Sequence, residues 1–365
     1  MSAQPESSLN PVIGLRHPTR IETVPAVMAS EFTNWATGEG IAAGLRSSGW
    51  LIEEVDRYKF FGSGGTPALR AIQRLLRGSF RRSFNDAILK SCADLKAKAF
   101  VTIKGGDVDH STVMTLKRKS IVTAIYYTDF HFDHHNVDIN VIRDVDVMFT
   151  TKSFQVKWLH KLREGRPTYH VPHGYTPTTP QIFIEPNERE YDYDLAYIGN
   201  PDSQKLATLV AVASVFSDKK IFVAGNRWQS AAAGTALERF VVGHPLTGDF
   251  LADAHRRSRI NLAMHMAPRP NGWADLVSRR TFEIPAFRGF MLHVDNPEVR
   301  TLYEVPNEID VFANAADLIQ KIQFYLDRPK LRREMIERAY RRAVPHYGHH
   351  SRGIEIDRLL RPLLG

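Results

Sequence analysis

The sequence predicts an α/β fold of two doubly wound parallel-sheet domains that face one cleft. Three observations lead there. Short β-branched or aromatic runs alternate with helical patterns along the 365 residues, the sequence form of strand, helix and strand in a parallel sheet. One Pro- and Thr-rich stretch, Gly174–Tyr193, has neither period and interrupts the alternation. The length suits two domains of roughly 100–200 residues, each able to bury a core.

Residues 1–20 form a polar leader. The first domain, 21–175, has strands expected at Glu22–Met28, Leu51–Val55, Phe100–Lys104, Ile121–Tyr127, Val147–Thr150 and Tyr169–Pro172, each a run of β-formers ended by turn or polar residues. Helical patterns lie between them at Gly38–Ser48, Thr66–Arg77, Phe80–Lys96, His110–Lys117 and Phe154–Leu162, with Gly49 closing the first as its C′ residue. A linker, 176–192, follows. The second domain, 193–345, repeats the scheme. Its strands are expected at Leu195–Ile198, Ile221–Ala224, Phe240–Val242, Ile260–Met264 and Phe290–His293, its helices at Ser203–Phe216, Gly248–Arg256 and Arg279–Phe287, then Ala315–Arg342 interrupted near Pro329. The segment 346–365 ends in a helix, Arg352–Leu364, that could cross back to the first domain.

The composition, 43% hydrophobic and 24% charged, excludes a disordered or fibrous chain. The longest uncharged apolar helical stretch, Leu206–Phe216, is well short of the roughly 20 residues a bilayer span needs. Residues 1–20 lack a secretory signal pattern. Cys92 is the only cysteine and sits in a helical pattern, which fits buried packing better than a nucleophile. A cytoplasmic protein is the expectation.

The formal charge is +8, and its placement says more than its total. Arg70, Arg74, Arg77, Arg81, Arg82 and Lys90 face only Asp86 within 68–90, and 326–365 holds ten Arg or Lys against five carboxylates. Arg70, Arg74, Arg77 and Arg81 recur at helical spacing as one basic stripe. The stripe is either a solvated face or a landing surface for an anionic membrane or polymer. No zinc-finger, aromatic RNA-binding or recognition-helix pattern accompanies it, so nucleic acid is not an expected partner.

Ligands of such sheets bind beyond the carboxyl ends of the strands. Ser278 is a plausible N-cap, so Arg279, Arg280 and Thr281 would fill a first helical turn where cations oppose the macrodipole. An anion between them resolves the conflict, and free N–H groups with arginines suit a diphosphate. Glu283, one turn on, is placed to accept hydrogen bonds from a vicinal diol such as ribose, with an ordinary surface Arg/Glu pair as the alternative. Gly199, Asn200 and Gly225 follow the first two strands of the second domain, where small residues allow a ligand close to the backbone, and Asn226 and Arg227 would then face phosphates. Plain turn glycines are the competing reading.

In the first domain, Asp129, His131, Asp133, His134 and His135 fall within seven residues directly after a strand. If the strand continues, alternation puts Asp129, His131 and Asp133 on one side. The cluster reads as a metal site, as a polar loop, or as an acceptor pocket in which Asp129 is general base and His131 orients the substrate. The Gly38-Glu39-Gly40 and Lys104-Gly105-Gly106-Asp107 segments make neither a dinucleotide nor a P-loop fingerprint.

The run RTFEIPAFRGFMLHVDNPEVRTLYE from Arg280, the segment from Val311 to Arg352 and the strand end AYIGN resemble the C-terminal half of GT-B glycosyltransferases of the spore-maturation-protein-like family. Arg280, Phe282, Glu283, Ala286, Gly289 and Leu292 meet that family's core letters, with Phe287 where a Cys is common. The resemblance covers roughly 193–355 well. It touches the first half only at IKGGD, 103–107, and YYTDFH, 126–131. It implies two Rossmann-type domains and a transferase that moves a sugar from a nucleotide diphosphate sugar, UDP among the candidates, to a hydroxyl of a glycan, a lipid-linked or a small acceptor. Glu283 would bind the ribose, Arg280 the diphosphate, and neither metal nor cofactor is implied. Related retaining enzymes often carry a second acid eight positions before that Glu, where Asp275 stands. A lipid-linked acceptor would bring the protein to the inner membrane face. A nucleotide-sugar epimerase, a metal-dependent hydrolase on the same scaffold and a non-catalytic nucleotide- or polymer-binding protein remain alternatives.

Overall fold

The computed structural model describes residues 23–33, 35–62, 75–132, 136–177, 188 and 190–364. The leader, Arg70 and Arg74 with most of the helix expected at Thr66–Arg77, Asp133, His134, His135 and most of the linker lie outside the described residues.

Two six-stranded parallel sheets form the frame. The first contains β1 (Val24–Ser30), β2 (Trp50–Asp56), β3 (Ala99–Ile103), β4 (Val122–Tyr127), β5 (Val147–Thr150) and β6 (Thr168–His170), in the order β2-β1-β3-β4-β5-β6. Its helices are α1 (Thr37–Ser47), α2 (Tyr58–Phe61), α3 (Arg77–Asp94), α4 (His110–Arg118), α5 (Ile139–Asp144) and α6 (Gln155–Leu162). The second contains β7 (Tyr193–Ile198), β8 (Ile221–Ala224), β9 (Val241–Val242), β10 (Ser258–Ala263), β11 (Met291–Val294) and β12 (Asp310–Phe312), in the order β12-β11-β10-β7-β8-β9. Its helices are α7 (Ser203–Val215), α8 (Trp228–Ala232), α9 (Gly248–Arg256), α10 (Arg279–Ala286), α11 (Pro297–Leu302), α12 (Ala315–Leu326) and α13 (Pro329–Ala343). Strand order reverses at β1 in the first sheet and at β7 in the second, so each sheet opens a crevice at the carboxyl end of that strand.

Apart from the edge strands β2, β6 and β9, the strands are buried on both faces, which explains why they read as short continuous apolar runs rather than alternating ones. Helices on either side supply separate cores. Phe84, Ile88, Leu116 and Leu159 pack one face of the first sheet, and Ile41, Leu45, Ile356 and Leu360 the other. The last two belong to α14 (His349–Leu360), the final α-helix, which returns to the first domain. It lies against α1 through glycines. A Cβ on Gly44 would stand 2.1 Å from the His350 carbonyl oxygen, and one on Gly353 2.4 Å from that of Ile41. Trp50 Nε1 donates to Asp357 Oδ1 at 2.6 Å, and Arg361 to the Ser48 carbonyl at 2.6 Å. The two chain crossings between domains run side by side, with His349 N donating to the Tyr175 carbonyl at 2.9 Å.

The last helix begins at His349 rather than Arg352, with Gly348 as N-cap, because the tight approach of His349 to Gly40 belongs to the same packing. Helices α2, α5, α8 and α11 and strand β12 were not readable as periods, since none is longer than six residues.

Of the basic stripe, Arg77 and Arg81 lie among the described residues, both on α3. Arg77 Nη2 lies 2.6 Å from Asp107 Oδ1 and Arg81 Nε 2.5 Å from Asp109 Oδ1. Asp107 is buried, and Arg57 binds its other oxygen at 2.6 Å. Both arginines thus bind carboxylates of their own domain. Among the described residues no helix is long and apolar enough to cross a membrane.

Candidate active site

The carboxyl ends of both sheets open onto one cavity of about 900 Å³ between the domains. Arg57, Lys104, Lys152, Lys205, Arg279 and Arg280 line it, against Glu31, Asp129, Asp275 and Glu283. Five of the six cations pair with a carboxylate, Arg57 and Lys205 with Asp107 and Asp202 among them, whereas Arg280 hydrogen-bonds only backbone carbonyls.

On the second-domain wall, α10 begins at Ser278 in extended conformation, and Ser278 N donates to Thr281 Oγ1 at 3.2 Å. Thr281 is fully buried, also bonds His293 Nε2 at 3.0 Å, and does not line the cavity. Its expected ligand contact is therefore corrected: it caps the helix. Arg280 does line the cavity. Its Nη1 donates to the Ile198 carbonyl at 3.2 Å and its Nη2 to that of Met264 at 2.7 Å, which ties it to the ends of β7 and β10, the two strands that flank the crevice. Its Nε is buried without a partner.

Gly199 has φ +157°, and a Cβ there would fall 2.3 Å from Arg280 Nη1. Gly225, φ +145°, would place a Cβ 2.3 Å from the Gly199 carbonyl oxygen. These glycines admit the guanidinium and a close strand end, a stronger demand than a turn makes. Asn200 lines the cavity and its Oδ1 accepts from Asn226 N at 3.0 Å. Asn226 and Arg227 are exposed and lie off the cavity wall, so their expected phosphate contact is corrected as well. The chain turns at Arg227, φ +68°, into α8 and carries both side chains outward.

Lys205 escaped the sequence reading. It stands in the first turn of α7 behind the N-cap Asp202, whose Oδ2 is 2.9 Å from Lys205 Nζ. A strand-end glycine followed by an Asp N-cap and a Lys three residues later was the available signal. Glu283 is nearly buried, with Oε1 2.7 Å from Arg279 Nη2. It borders both the main cavity and a smaller one of about 260 Å³ with Trp35, Phe250 and Phe287.

Asp275 lines the cavity, and its Oδ1 meets Lys152 Nζ of the first domain at 2.6 Å. Lys152 also donates to the Val277 carbonyl at 3.1 Å. Beside this bridge Trp273 packs among first-domain rings, 5.3 Å from Phe154, 5.5 Å from Trp158 and 6.1 Å from Phe130 between centroids. One loop of the second domain therefore grips the first by a charge and an aromatic contact.

On the first-domain wall, Asp129 Oδ1 is 3.0 Å from Lys104 Nζ, and Gln155 Nε2 holds the Asp129 carbonyl at 3.0 Å. His131 is not brought to the cavity wall. Its carbonyl accepts from the Tyr127 hydroxyl and its ring meets Phe130 edge-on at 4.7 Å. The strand ends at Tyr127, so the alternation that would have aligned Asp129 with His131 does not continue. Among the described residues no three His, Cys, Asp or Glu gather as metal ligands.

His173, after β6, also lines the cavity and was missed. It is buried, and burial together with Lys152, His349, Arg279 and Lys104 holds its imidazole well below the usual histidine pKa, hence neutral.

Residues 205–359 match the family model described as glycosyl transferase-like. No curated protein sequence matches the chain. Among solved structures, the sucrose-phosphate synthase of Thermosynechococcus elongatus aligns over 93% of this chain and 99% of its own, with TM-score 0.64 and 12% identity. HepE of Anabaena, solved with UDP, aligns over 93% and 100% with TM-score 0.58 and 10% identity. A UDP-N-acetylglucosamine 2-epimerase of Listeria monocytogenes aligns over 92% and 96% with TM-score 0.53 and 12% identity. The chain therefore combines a glycosyl transferase-like segment with the two-domain GT-B architecture.

Proposed function

We propose that this GT-B glycosyltransferase takes a UDP sugar as donor and delivers the sugar to a hydroxyl of a glycan, lipid-linked or small acceptor. The observation that carries the reading is the cationic wall at the switch point of the second sheet. Arg280 and Lys205 flank Gly199, two helix N-termini converge there, and Glu283 stands one turn behind. The anionic leaving group would be stabilised by these fixed cations and N–H groups, a role that needs no metal ion. Glu283 would accept from the ribose hydroxyls after Arg279 swings toward the phosphates.

Asp129 faces the cavity from the opposite domain, as a base for an acceptor hydroxyl must. Lys104 beside it holds the carboxylate in place. The similarity to HepE in complex with UDP supports uracil as the base. The single cysteine, Cys92, is buried and fits a cytoplasmic setting.

The test is thermal stabilisation by UDP, GDP and dTDP, followed by release of nucleoside diphosphate from a nucleotide-sugar panel with and without cell-envelope extract. A ligand at a hundredfold excess over its Kd stabilises by about 2.7 kcal/mol. Absence of any nucleotide effect removes the donor site. Interconversion of UDP sugars without transfer makes the enzyme an epimerase.

A further inference from the structure

Among the described residues that line the cavity, His173 is a buried one whose side chain has hydrogen-bonding capacity left unused. His173 is 5% exposed, and its Nε2 is 3.1 Å from Oγ1 of the fully buried Thr151. Its Nδ1 is buried with no partner. A polar atom left so in a wall that lines a cavity loses free energy unless a ligand completes it.

Its position narrows the ligand. Lys152, Arg279 and Lys104 line the same cavity as His173, and their charges bear on its imidazole. Each is tied to a different carboxylate, Asp275, Glu283 and Asp129 respectively. His173 therefore shares one cavity with the base proposed for the acceptor and with the residues proposed for the nucleotide.

The chemistry narrows it further. Thr151 Oγ1 can donate to Nε2 or accept from it, so the neutral ring presents either an N–H or a lone pair at Nδ1. A phosphate oxygen, which only accepts, completes one of these forms. A hydroxyl, which donates and accepts, completes both.

We propose that His173 binds a hydroxyl of the transferred sugar through Nδ1 and so takes part in choosing the sugar. The assignment rests on the nucleotide-sugar reading above. Because the imidazole is held by Thr151 from a strand end of the first domain, it meets the sugar only when the two domains enclose the cleft. Sugar recognition is thereby linked to closure over the donor.

The experiment compares wild type, His173→Ala and His173→Asn for binding of UDP, UDP-glucose and UDP-N-acetylglucosamine by calorimetry. In His173→Ala the preferred UDP sugar should weaken about tenfold, the loss expected for one hydrogen bond, while UDP stays within about twofold. His173→Asn, whose amide both donates and accepts, should recover part of the difference and serves as the folded control. With the 2-, 3-, 4- and 6-deoxy analogues of that sugar, one analogue should lose about tenfold on wild type and nothing further on His173→Ala. Equal loss of UDP and UDP sugar would place the imidazole on the diphosphate or in the framework and overturn the assignment. So would an identical deoxy profile in wild type and His173→Ala. A wild type that binds no UDP removes the donor site first, an outcome visible before any variant is made.

Discussion

The bridge between Lys152 and Asp275 sets how firmly the domains enclose the site, and its strength can be worked from its burial. The two groups are 2.6 Å apart with side chains 5% and 10% exposed. Replacing Lys152 by Met keeps the stem and deletes the charge, so Asp275 is left in the wall without its cation. Removing one member of a buried pair costs about 3–5 kcal/mol, and the Val277 carbonyl loses its donor too, worth about 1 kcal/mol. Asp275 borders a cavity that water enters, which favours the lower end, about 3 kcal/mol. In Lys152→Met with Asp275→Leu both desolvation penalties vanish together, and the net cost should fall below about 1 kcal/mol. Urea unfolding followed by tryptophan fluorescence reads this directly, since Trp273 is packed at the same junction. A single variant within about 0.5 kcal/mol of wild type, or a double variant no better than the single, would refute the claim that this pair is desolvated and spans the cleft.

Glu283→Gln should weaken UDP at least tenfold in calorimetry if its carboxylate takes the ribose, while leaving the melting temperature of the free protein within a few degrees. Asp129→Asn should lower turnover by about a hundredfold or more with UDP affinity unchanged, a kcat loss without a binding loss. Gly44→Leu forces a side chain into the carbonyl of His350 and should cost about 1–3 kcal/mol in denaturation, with β1 and α1 the first elements to lose amide protection. His293 is held down to about 4 by burial. The unfolded chain takes that proton near the ordinary 6.5 and the native state refuses it, so the His293 contribution to stability is full above about pH 6.5 and falls by roughly 3 kcal/mol as the pH drops toward 4. His293→Gln should make the acid limb of the profile shallower in urea titrations, leaving the slope owed to the buried His173, His265 and His349.

The elements legible in the sequence were those whose signal is local. Val147–Thr150, Ile221–Ala224 and Gly248–Arg256 stand where the pattern put them, because a fully buried short strand is a bare apolar run and an amphipathic helix repeats. The second-domain wall of the cavity was legible for the same reason. Gly199, Gly225, Arg280 and Glu283 each belong to a strand end or a helix start, and topology brings such ends to one place. Asn226 and Arg227 stand exposed off the cavity wall; the same rule says nothing of the left-handed residue at which the chain leaves the strand end. His131 was misread because alternation was carried past the last strand residue.

What stayed hidden is what depends on partners far along the chain. Lys152 acquires its role from Asp275, 123 residues away, and nothing around either position marks the pairing. His173 is one histidine of fifteen in the sequence until Thr151 fixes one nitrogen and burial strands the other. Gly199 was read as a place for a ligand to approach and Arg280 as a residue for a phosphate, two separate inferences. The structure joins them, since the absent Cβ of Gly199 is the space that Arg280 Nη1 occupies. That guanidinium rests on the carbonyls of Ile198 and Met264 with its Nε unpaired. The glycine thus holds the cation at the switch point before any diphosphate arrives, so binding spends little on ordering it.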